Sequence, residues 1–401
     1  MIGILPLSVV GSLHLVDVAV GAHAVGEVGR APLVYDGPAE TVVGGTLNPF
    51  VAGRYRDRRG GVLLRYGPRW RRQSPQPPGA GSVFLMHEAR LSADWLLDRR
   101  TAFEASTDAR YGEVAYANFT DALGPEQPTE LRLARLRFGS LDARLTASHA
   151  LSRRYMLQLG AELGLRRSLE PAQRFAYPDS TVTRVFVTPG YRVNRRDTVS
   201  TPVAYAYLTA DPGVRAQSFS SSVAWSRRLS RSSEGTLQAG ATYVRQALPA
   251  GESSTRVTPL FMAGYSTFLA RTWHGDFSLA SSAALRSTVD EVRGDFRPIA
   301  SLTVSVSYLS PPWRAVAAGG ASATATREPL ERDRGQSVGT ARLVVSREVF
   351  SWLDANAGIR GSVNTGHWSE EPVVLRNRQG WLFVGVSGAF GTGNDDGAWA
   401  R

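Results

Sequence analysis

The stretch that decides the fold is residues 151–166, Leu-Ser-Arg-Arg-Tyr-Met-Leu-Gln-Leu-Gly-Ala-Glu-Leu-Gly-Leu-Arg. It opens with a short polar turn, Leu151 to Arg154, and continues into a run in which apolar and polar residues alternate. Alternation with a period of two predicts a β-strand with one apolar and one polar face. The run is about twice as long as the ~5–6 residues usual for strands in soluble proteins.

The same kind of turn recurs along the whole chain, each time between two alternating runs. Similar turns stand at Arg56–Arg59, Leu97–Arg100 and Val193–Arg196, and looser versions at Leu229–Ser232, Leu269–Thr272, Leu309–Pro312 and Ser351–Asp354. The spacing between them accommodates two long strands, one tight turn and one longer loop. The chain is therefore predicted to be a series of β-hairpins.

Composition excludes several classes of protein. The 401 residues include no cysteine, so disulfides and thiolate metal sites are excluded. The net charge of +11 comes from arginines spread over turns and strand faces, which argues against nucleic-acid binding. No stretch offers the ~18 consecutive apolar residues of a transmembrane helix. Motifs of hydrolases, phosphate-binding loops and metal helices are missing, so we expect no enzyme, cofactor or metal.

Strand length and loop length favour a membrane barrel over a β-propeller. A tilted strand crosses a bilayer with ~9–11 residues, whereas a propeller blade needs four short strands per repeat. The connections that alternate with the tight turns are longer and rich in Pro and Gly: Ser74 to Gly81, Thr120 to Thr129, Leu169 to Ser180, Ala247 to Ser254, Arg327 to Gly335 and Gly366 to Gly380. Short turns at one rim and long loops at the other are typical of outer-membrane barrels.

Aromatic residues near the ends of the runs predict an interfacial girdle, made by Trp70, Trp95, Tyr111, Tyr155, Tyr308, Trp381 and Phe390. On the alternation, the turn parity and the terminal Phe390, the chain over about residues 31–390 resembles a bacterial outer-membrane β-barrel of porin-like size. The resemblance implies an all-β, antiparallel up-and-down transmembrane barrel in the outer membrane of a Gram-negative bacterium. It also implies contact with outer-membrane lipid and lipopolysaccharide and with the barrel insertion machinery. The polar residues 391–401 depart from the usual aromatic terminus.

The strand count is predicted to be eighteen. Eight tight turns give sixteen strands and the terminal strand a seventeenth, while single-chain bacterial barrels have even numbers. The missing strand is predicted over Val34 to Val43, joined to the next by a Gly44-Gly45 turn; without that N-terminal pair the count is sixteen. Residues 1–24 end in Ala22-His23-Ala24, a signal-peptide cleavage pattern, although Asp17 and the missing basic start speak against it. The predicted organisation is thus a signal peptide over 1–24, a barrel over 25–390 and a polar tail over 391–401.

The polar face of the strands is the candidate lumen. In the first half it carries charged residues, Arg65, Arg69, Glu88, Arg90, Asp94, Glu104, Asp108, Arg110, Asp142, Arg144, Glu162 and Arg166. In the second half it carries small neutral residues, Ser218, Ser220, Ser222, Thr236, Gln238, Ser278, Ser282, Ser301, Thr303, Ser305, Ser307, Gly358 and Asn364, with Arg360 as an exception. Two interpretations stay open: the charges pair across strands and brace the wall, or they set a transverse field across a water-filled pore.

Three functions follow, in decreasing order of preference. The first is a passive or weakly selective pore for ions and small solutes, since eighteen strands leave a wide lumen. The second is a non-conducting structural or interaction barrel that serves an envelope complex. The third is an embedded lipid hydrolase using His149 beside Ser148 and Ser152. The transported solute and the oligomeric state are left open.

Overall fold

The computed structural model describes residues 15–32, 39–76, 81–115, 135–174, 178–211, 213–247, 253–272, 275–290, 295–327, 333–368 and 375–391. Its strands are β1 (Leu15–Pro32), β2 (Ala39–Asp57), β3 (Gly60–Ser74), β4 (Val83–Leu96), β5 (Thr101–Ala115), β6 (Arg135–Ala150), β7 (Tyr155–Ser168), β8 (Ser180–Arg192), β9 (Asp197–Ser200), β10 (Val203–Ala210), β11 (Val214–Arg228), β12 (Ser233–Ala247), β13 (Ser253–Thr272), β14 (Gly275–Asp290), β15 (Asp295–Ser310), β16 (Trp313–Arg327), β17 (Asp333–Phe350), β18 (Leu353–Trp368) and β19 (Leu375–Gly391). A 3-10 turn, Pro171–Gln173, lies between β7 and β8.

The strands form one closed, antiparallel, up-and-down barrel. Each strand pairs with its neighbours in the chain, and β1 pairs with β19 to close the sheet. The short β9 and β10 both pair with β8 and β11, so they are two segments of one strand interrupted at Thr201 and Pro202. Proline cannot donate to the ladder, which accounts for the interruption. The predicted count of eighteen strands is confirmed.

The N-terminal strand differs from the prediction. Residues Leu15 to Ala24, predicted as part of a signal peptide, lie in β1, which pairs with β2 along its whole length. The predicted Gly44-Gly45 turn after a strand over Val34 to Val43 does not form, because β2 begins at Ala39 and passes straight through both glycines. The prediction of that strand and turn was wrong. Gly44 has a packing role instead: a Cβ there would meet the Glu27 carboxylate at 3.0 Å.

The eight tight turns lie at one rim, as predicted. A single device builds four of them: the second turn residue accepts hydrogen bonds from the backbone N–H groups that follow. Asp98 Oδ1 accepts from Arg100 N at 2.6 Å and Thr101 N at 2.8 Å. Ser152, Asn194 and Ser230 do the same. The recurring Asp/Ser/Asn before the arginines therefore supplies a side-chain acceptor that closes the turn. One turn lies later in the chain than predicted: β13 runs through the predicted turn Leu269–Thr272 to its end at Thr272, and β14 begins at Gly275.

The connections at the opposite rim, the long-loop rim, are mostly longer, but less so in the second half than predicted. Residues 328–332 and 369–374 replace the predicted Arg327–Gly335 and Gly366–Gly380 because the flanking strands are longer. The connection between β10 and β11 is only residues 211–213. The loop Thr120 to Thr129 and residues 392–401 of the polar tail lie outside the described residues.

The outer face carries a continuous apolar belt. Its exposed members include Val20, Val28, Leu47, Leu64, Leu91, Phe103, Leu145, Leu159, Val185, Phe219, Leu237, Phe261, Leu302, Leu343, Ile359, Leu382 and Val384. A soluble barrel does not expose so many large apolar side chains on every strand, whereas a lipid-facing wall requires it. The wall is therefore that of a transmembrane β-barrel, and the opposite faces of the same strands line the lumen. Among the described residues no helix is long and apolar enough to cross a membrane.

Candidate functional site

The inner wall follows from strand alternation and register. Directly opposite residues point to the same side of a sheet, so each pairing extends the inner face to the next strand. Arg65 lies opposite Arg90, Arg90 opposite Asp108, and Asp108 opposite Asp142. All twelve predicted lumen charges lie on this inner face. We call the inner face of β3 to β8 the charged wall.

Ion pairs link neighbouring strands along the charged wall. Arg69 Nη1 lies 3.1 Å from Glu88 Oε1, and Arg90 Nε lies 2.7 Å from Asp108 Oδ1. Arg166 Nη2 lies 3.0 Å from Asp142 Oδ2. These pairs join β3 to β4, β4 to β5 and β6 to β7, so the charges brace the wall.

Glu162 is the branching point of the lattice. It lies 3.6 Å from Arg144 on β6 and 3.3 Å from Arg184 on β8, and one carboxylate therefore ties three strands together. Arg184 was missed from the sequence, although it follows the alternation of β8. Its guanidinium and that of Arg144 both lie near the Phe186 ring, at 5.9 and 5.6 Å.

Not every predicted charge is joined to another. Arg65 stacks over the Phe50 ring at 4.0 Å. Asp94 and Glu104 lie directly opposite each other near the tight-turn rim, and both are exposed to water. Like charges in that position repel, and their exposure to water and salt screens the repulsion.

The inner face of β11 to β15 is built from hydroxyl groups, and we call it the hydroxyl wall. Gln238 donates to Ser222 Oγ at 2.8 Å; Ser278 bonds to Ser307 at 2.5 Å and Ser282 to Thr303 at 2.6 Å. In these three pairs, small polar residues predicted for the inner face thus form hydrogen bonds with each other across neighbouring strands. Asn364 pairs with Val338 in the register of β17 and β18.

The second half of the barrel also holds inward arginines that sequence reasoning missed. Arg256 lies opposite Val244, and Arg286 lies opposite Ile299. Arg342 lies opposite Arg360, with its guanidinium 6.0 Å from the Phe383 ring. Each of these arginines alternates with the apolar, lipid-facing residues of its strand. Assigning the inward and outward positions strand by strand could therefore have predicted them.

A buried charge cluster lies at the seam where the barrel closes. The carboxylate of Glu27 on β1 contacts Arg71 of β3, and its second oxygen accepts from Arg360 Nη2 of β18 at 2.9 Å. Glu27 and Arg71 side chains are 4% and 8% exposed. Both guanidinium groups lie over the Trp381 ring, at 5.9 and 5.5 Å.

Trp381 is therefore wrongly predicted as a girdle residue. It is only 4% exposed and packs with Ala31 and Val42 on the inner face. The reason is phase: Leu382 and Val384 take the lipid side of β19, which turns Trp381 inward. The remaining girdle residues lie on the outer face. Trp70, Trp95, Tyr111, Tyr155 and Phe390 are exposed, and Tyr308 packs its ring 4.5 Å from that of Phe277.

The two ends of the lumen differ in their contact with water. Apolar inner residues near the long-loop rim are buried on most strands: Ala31, Val42, Phe84, Met86, Val114, Leu136, Phe138, Ala206, Leu208, Ala210, Val214, Ala216, Val244, Ile299 and Val338. The non-adjacent strands β11 and β15 also come within 8 Å of each other between Cα atoms. Four steps of ~4.8 Å separate them along the wall, so the wall folds inward between β11 and β15 and narrows the lumen.

The described part of the loop Leu169 to Ser180 stays at the rim. Glu170 lies 3.4 Å from both Arg135 and Arg137 of β6. Gln173 accepts from Arg137 N at 3.0 Å, and Asp179 accepts from Ser168 N at 2.7 Å. These bonds hold the loop over the strand ends.

The surroundings of His149 lack the order of a hydrolase site. Its Nδ1 lies 2.9 Å from Thr101 Oγ1, which also bonds to Asp98 Oδ2 at 3.2 Å. The threonine thus bridges the histidine and the carboxylate, whereas catalysis needs the histidine between them. Ser152 is used in its own turn, and Ser148 has the inward phase. Among the described residues, no cluster of His, Asp or Glu could hold a metal ion.

A barrel closed at eighteen strands, with an apolar outer belt and a polar inner wall, confirms the resemblance to bacterial outer-membrane β-barrels of porin-like size. No model of a known protein family matches the sequence, and no curated protein matches it.

Several solved structures of outer-membrane channels are similar. OpdK of Pseudomonas aeruginosa, crystallised with vanillate, is 11% identical with a TM-score of 0.47, and the match covers 93% of this chain and 99% of OpdK. OccAB1 of Acinetobacter baumannii is 10% identical with a TM-score of 0.46, covering 94% and 97%. The FrpB iron transporter of Neisseria meningitidis (F5-1 variant) is 9% identical with a TM-score of 0.47, covering 92% and 82%. At these identities the likeness concerns the fold alone.

Proposed function

We propose that this chain is an outer-membrane pore for ions and small solutes that weakly prefers anions. The carrying observation is the excess of arginine on the inner wall. On the charged wall Arg71 and Arg184 join the six predicted arginines, while the carboxylates among its described residues stay at six, so this wall carries an excess of positive charge. On the remaining strands the inward arginines Arg256, Arg286, Arg342 and Arg360 accompany inward carboxylates such as Glu27, Glu40, Glu234 and Asp354. Charged linings of this kind select ions by sign.

The test is single-channel recording of the refolded protein in planar bilayers. The proposal predicts discrete, steady conductance steps that a heat-denatured sample does not give. The inward fold of the wall between β11 and β15 predicts steps smaller than an open lumen of eighteen strands would give. Absence of any step from protein that migrates as folded on a gel contradicts it.

The second candidate is a non-conducting barrel that serves an envelope complex. The buried apolar ring at the long-loop rim favours it, because side chains out of contact with water leave little room for ions. Liposome swelling distinguishes the two candidates. Entry of small sugars or amino acids at a rate above that of protein-free liposomes supports the pore, and no entry supports the structural barrel. Outer-membrane lipid, lipopolysaccharide and the insertion machinery are the partners proposed in either case.

A further inference from the structure

A trough crosses the lipid-facing wall where the barrel closes. Its floor is the outward pair Gly26 and Gly45, which lie directly opposite each other on β1 and β2. Neither glycine is crowded: a Cβ on Gly26 would meet only Val384 O at 4.0 Å, and one on Gly45 only Val25 O at 3.7 Å. The missing side chains therefore leave an open depression, a groove of about 660 Å³.

Apolar side chains border the trough on both sides. One border runs along the row Val386, Ala24, Leu47 and Trp70, each opposite the next in register. The other border is the row Leu382, Val28 and Val43, all well exposed on the same face. A depression between two apolar ridges, open to the membrane, fits a hydrocarbon chain.

The trough ends at an arginine. The floor row runs from Val384 through Gly26 and Gly45 to Arg72 on β3. Arg72 is exposed on the outer face, and no ion-pair partner is found for it among the described residues. An exposed guanidinium beside an apolar surface matches a phosphate, with which it forms charge-assisted hydrogen bonds.

The trough is inclined in the direction that a lipid requires. Arg72 lies two residues from the end of β3 at the long-loop rim, whereas Val384 lies nine residues from the same rim on β19. At ~3.3 Å per residue the Val384 end is much deeper in the wall. The charged end therefore lies at headgroup level, with Trp70 beside it as an interfacial aromatic, and the glycine floor descends into the hydrocarbon.

We propose that this trough binds one phosphorylated acyl lipid of the leaflet at the long-loop rim, with an acyl chain over Gly26 and Gly45 and a phosphate on Arg72. The site is separate from the lumen, so it stands or falls independently of conductance. Arg30 gives a second exposed guanidinium toward the same rim. It follows Gly26 and Val28 on the outer face of β1 and donates to Ala39 O at 3.2 Å.

Native mass spectrometry of the detergent-purified protein tests the proposal, with diphosphorylated lipid A as probe and its dephosphorylated form as comparison. We expect one lipid A per barrel to survive detergent exchange and the dephosphorylated lipid to be lost. Arg72→Gln should weaken retention at least about tenfold, because a charge-assisted contact is lost. Gly45→Leu fills the trough and should weaken it similarly.

Two matched variants control for general effects. Arg245→Gln removes an exposed, outward arginine on β12 that has no trough beside it. Gly53→Leu adds the same side chain to β2 at an outward glycine with nothing within 4 Å of its Cβ position. Both should retain lipid A as the unmodified protein does. If Gly45→Leu does not fold, Arg72→Gln decides alone, since its side chain is exposed.

Three outcomes overturn the proposal. Equal loss from Arg72→Gln and Arg245→Gln means that lipid A is held by general surface charge. Equal retention of the dephosphorylated lipid means that the phosphate is not recognised. Retention of a second barrel copy in place of lipid means that the trough is a contact between copies of this chain.

Discussion

The charged wall and the hydroxyl wall meet the same requirement with different chemistry. Both are inner faces of long antiparallel strands, and both need partners for polar side chains. On the charged wall Arg90 pairs with Asp108 and Glu162 joins two arginines. On the hydroxyl wall Ser282 bonds to Thr303 and Ser278 to Ser307. Pairs of side chains on neighbouring strands thus stabilise both walls. The charged wall uses ion pairs for this, whereas the hydroxyl wall uses neutral hydrogen bonds.

The comparison has a consequence for ion selectivity. Paired charges of opposite sign cancel at a distance, so the densest array of charges contributes little net field. Inward arginines outside these neutral pairs, such as Arg342, carry the excess. The sign of the selectivity is therefore expected to follow inward arginines outside the neutral ion pairs rather than the pairs themselves.

The largest expected effect is loss of stability on breaking the buried charge cluster at the seam where β1 meets β19. Glu27→Gln removes the buried carboxylate that contacts Arg71 and Arg360. Breaking a buried ion pair costs about 3–5 kcal/mol because a charge stays buried. The free energy of unfolding, measured by urea titration in lipid or detergent, checks it. The matched change Glu162→Gln affects a carboxylate that is 30% exposed, and about 1 kcal/mol or less is expected. Equal losses would show that burial does not distinguish the seam from the charged wall.

A smaller loss is expected on the hydroxyl wall. Ser282→Ala removes one partner of the bond to Thr303 and should cost about 1 kcal/mol, the net value of a neutral hydrogen bond. Thr303→Val should cost a similar amount. In the double variant the two losses should be less than additive, which a double-mutant cycle on the same urea titration measures. Strict additivity would mean that the hydroxyls do not interact.

Selectivity should respond to single arginines but not to neutral pairs. Arg342→Gln removes one unit of positive charge, which at ~10 Å in water changes the energy of each ion by about 0.4 kcal/mol, with opposite sign for anion and cation. The anion-to-cation permeability ratio should therefore fall by about fourfold at low salt and by less as salt screens the charge. Removing a whole pair, Arg69→Gln with Glu88→Gln, should leave that ratio unchanged. Reversal potentials in a salt gradient measure both. A larger shift from the pair than from Arg342→Gln would mean that the paired charges set the selectivity.

The smallest effect concerns the tight turns below each wall. Asp98 and Ser230 accept the same kind of backbone hydrogen bond, but only Asp98 titrates. The N–H of Arg100 lowers the pKa of the Asp98 carboxyl below its ordinary value, and Thr101 adds to this. A lowered pKa in the folded state means that the contribution to stability is present above the unfolded value, ~3.9, and is lost as pH falls through the lower folded value.

Unfolding of the unmodified protein and of Asp98→Asn at pH 6 and pH 3 measures this contribution. Asp98→Asn should reduce the pH dependence slightly, and Ser230→Ala should leave it unchanged. A pH dependence that Asp98→Asn does not alter would mean that the turn carboxylate has no part in it.

Alternation in the sequence was sufficient to predict most of the barrel and much less of its seam. Runs such as Tyr155 to Arg166 show their phase directly, so the strand count and the charged wall follow. β1 was missed because its apolar start and Ala22-His23-Ala24 also fit a leader, and Glu27 shows its role only when Arg71 and Arg360 are brought to it. Gly44 beside Gly45 predicts a turn when the local sequence is considered alone. In the structure the missing side chain of Gly44 leaves room for the Glu27 side chain. Contacts between residues more than three hundred positions apart leave no local signal.

The reversal potential of the unmodified protein, in planar bilayers under a tenfold gradient of potassium chloride, tests the central claim most directly. An inner wall with more arginine than carboxylate predicts that chloride carries the larger share of the current, so the potential has the sign of anion preference. A reversal potential of zero, or one with the sign of potassium preference, would contradict the account.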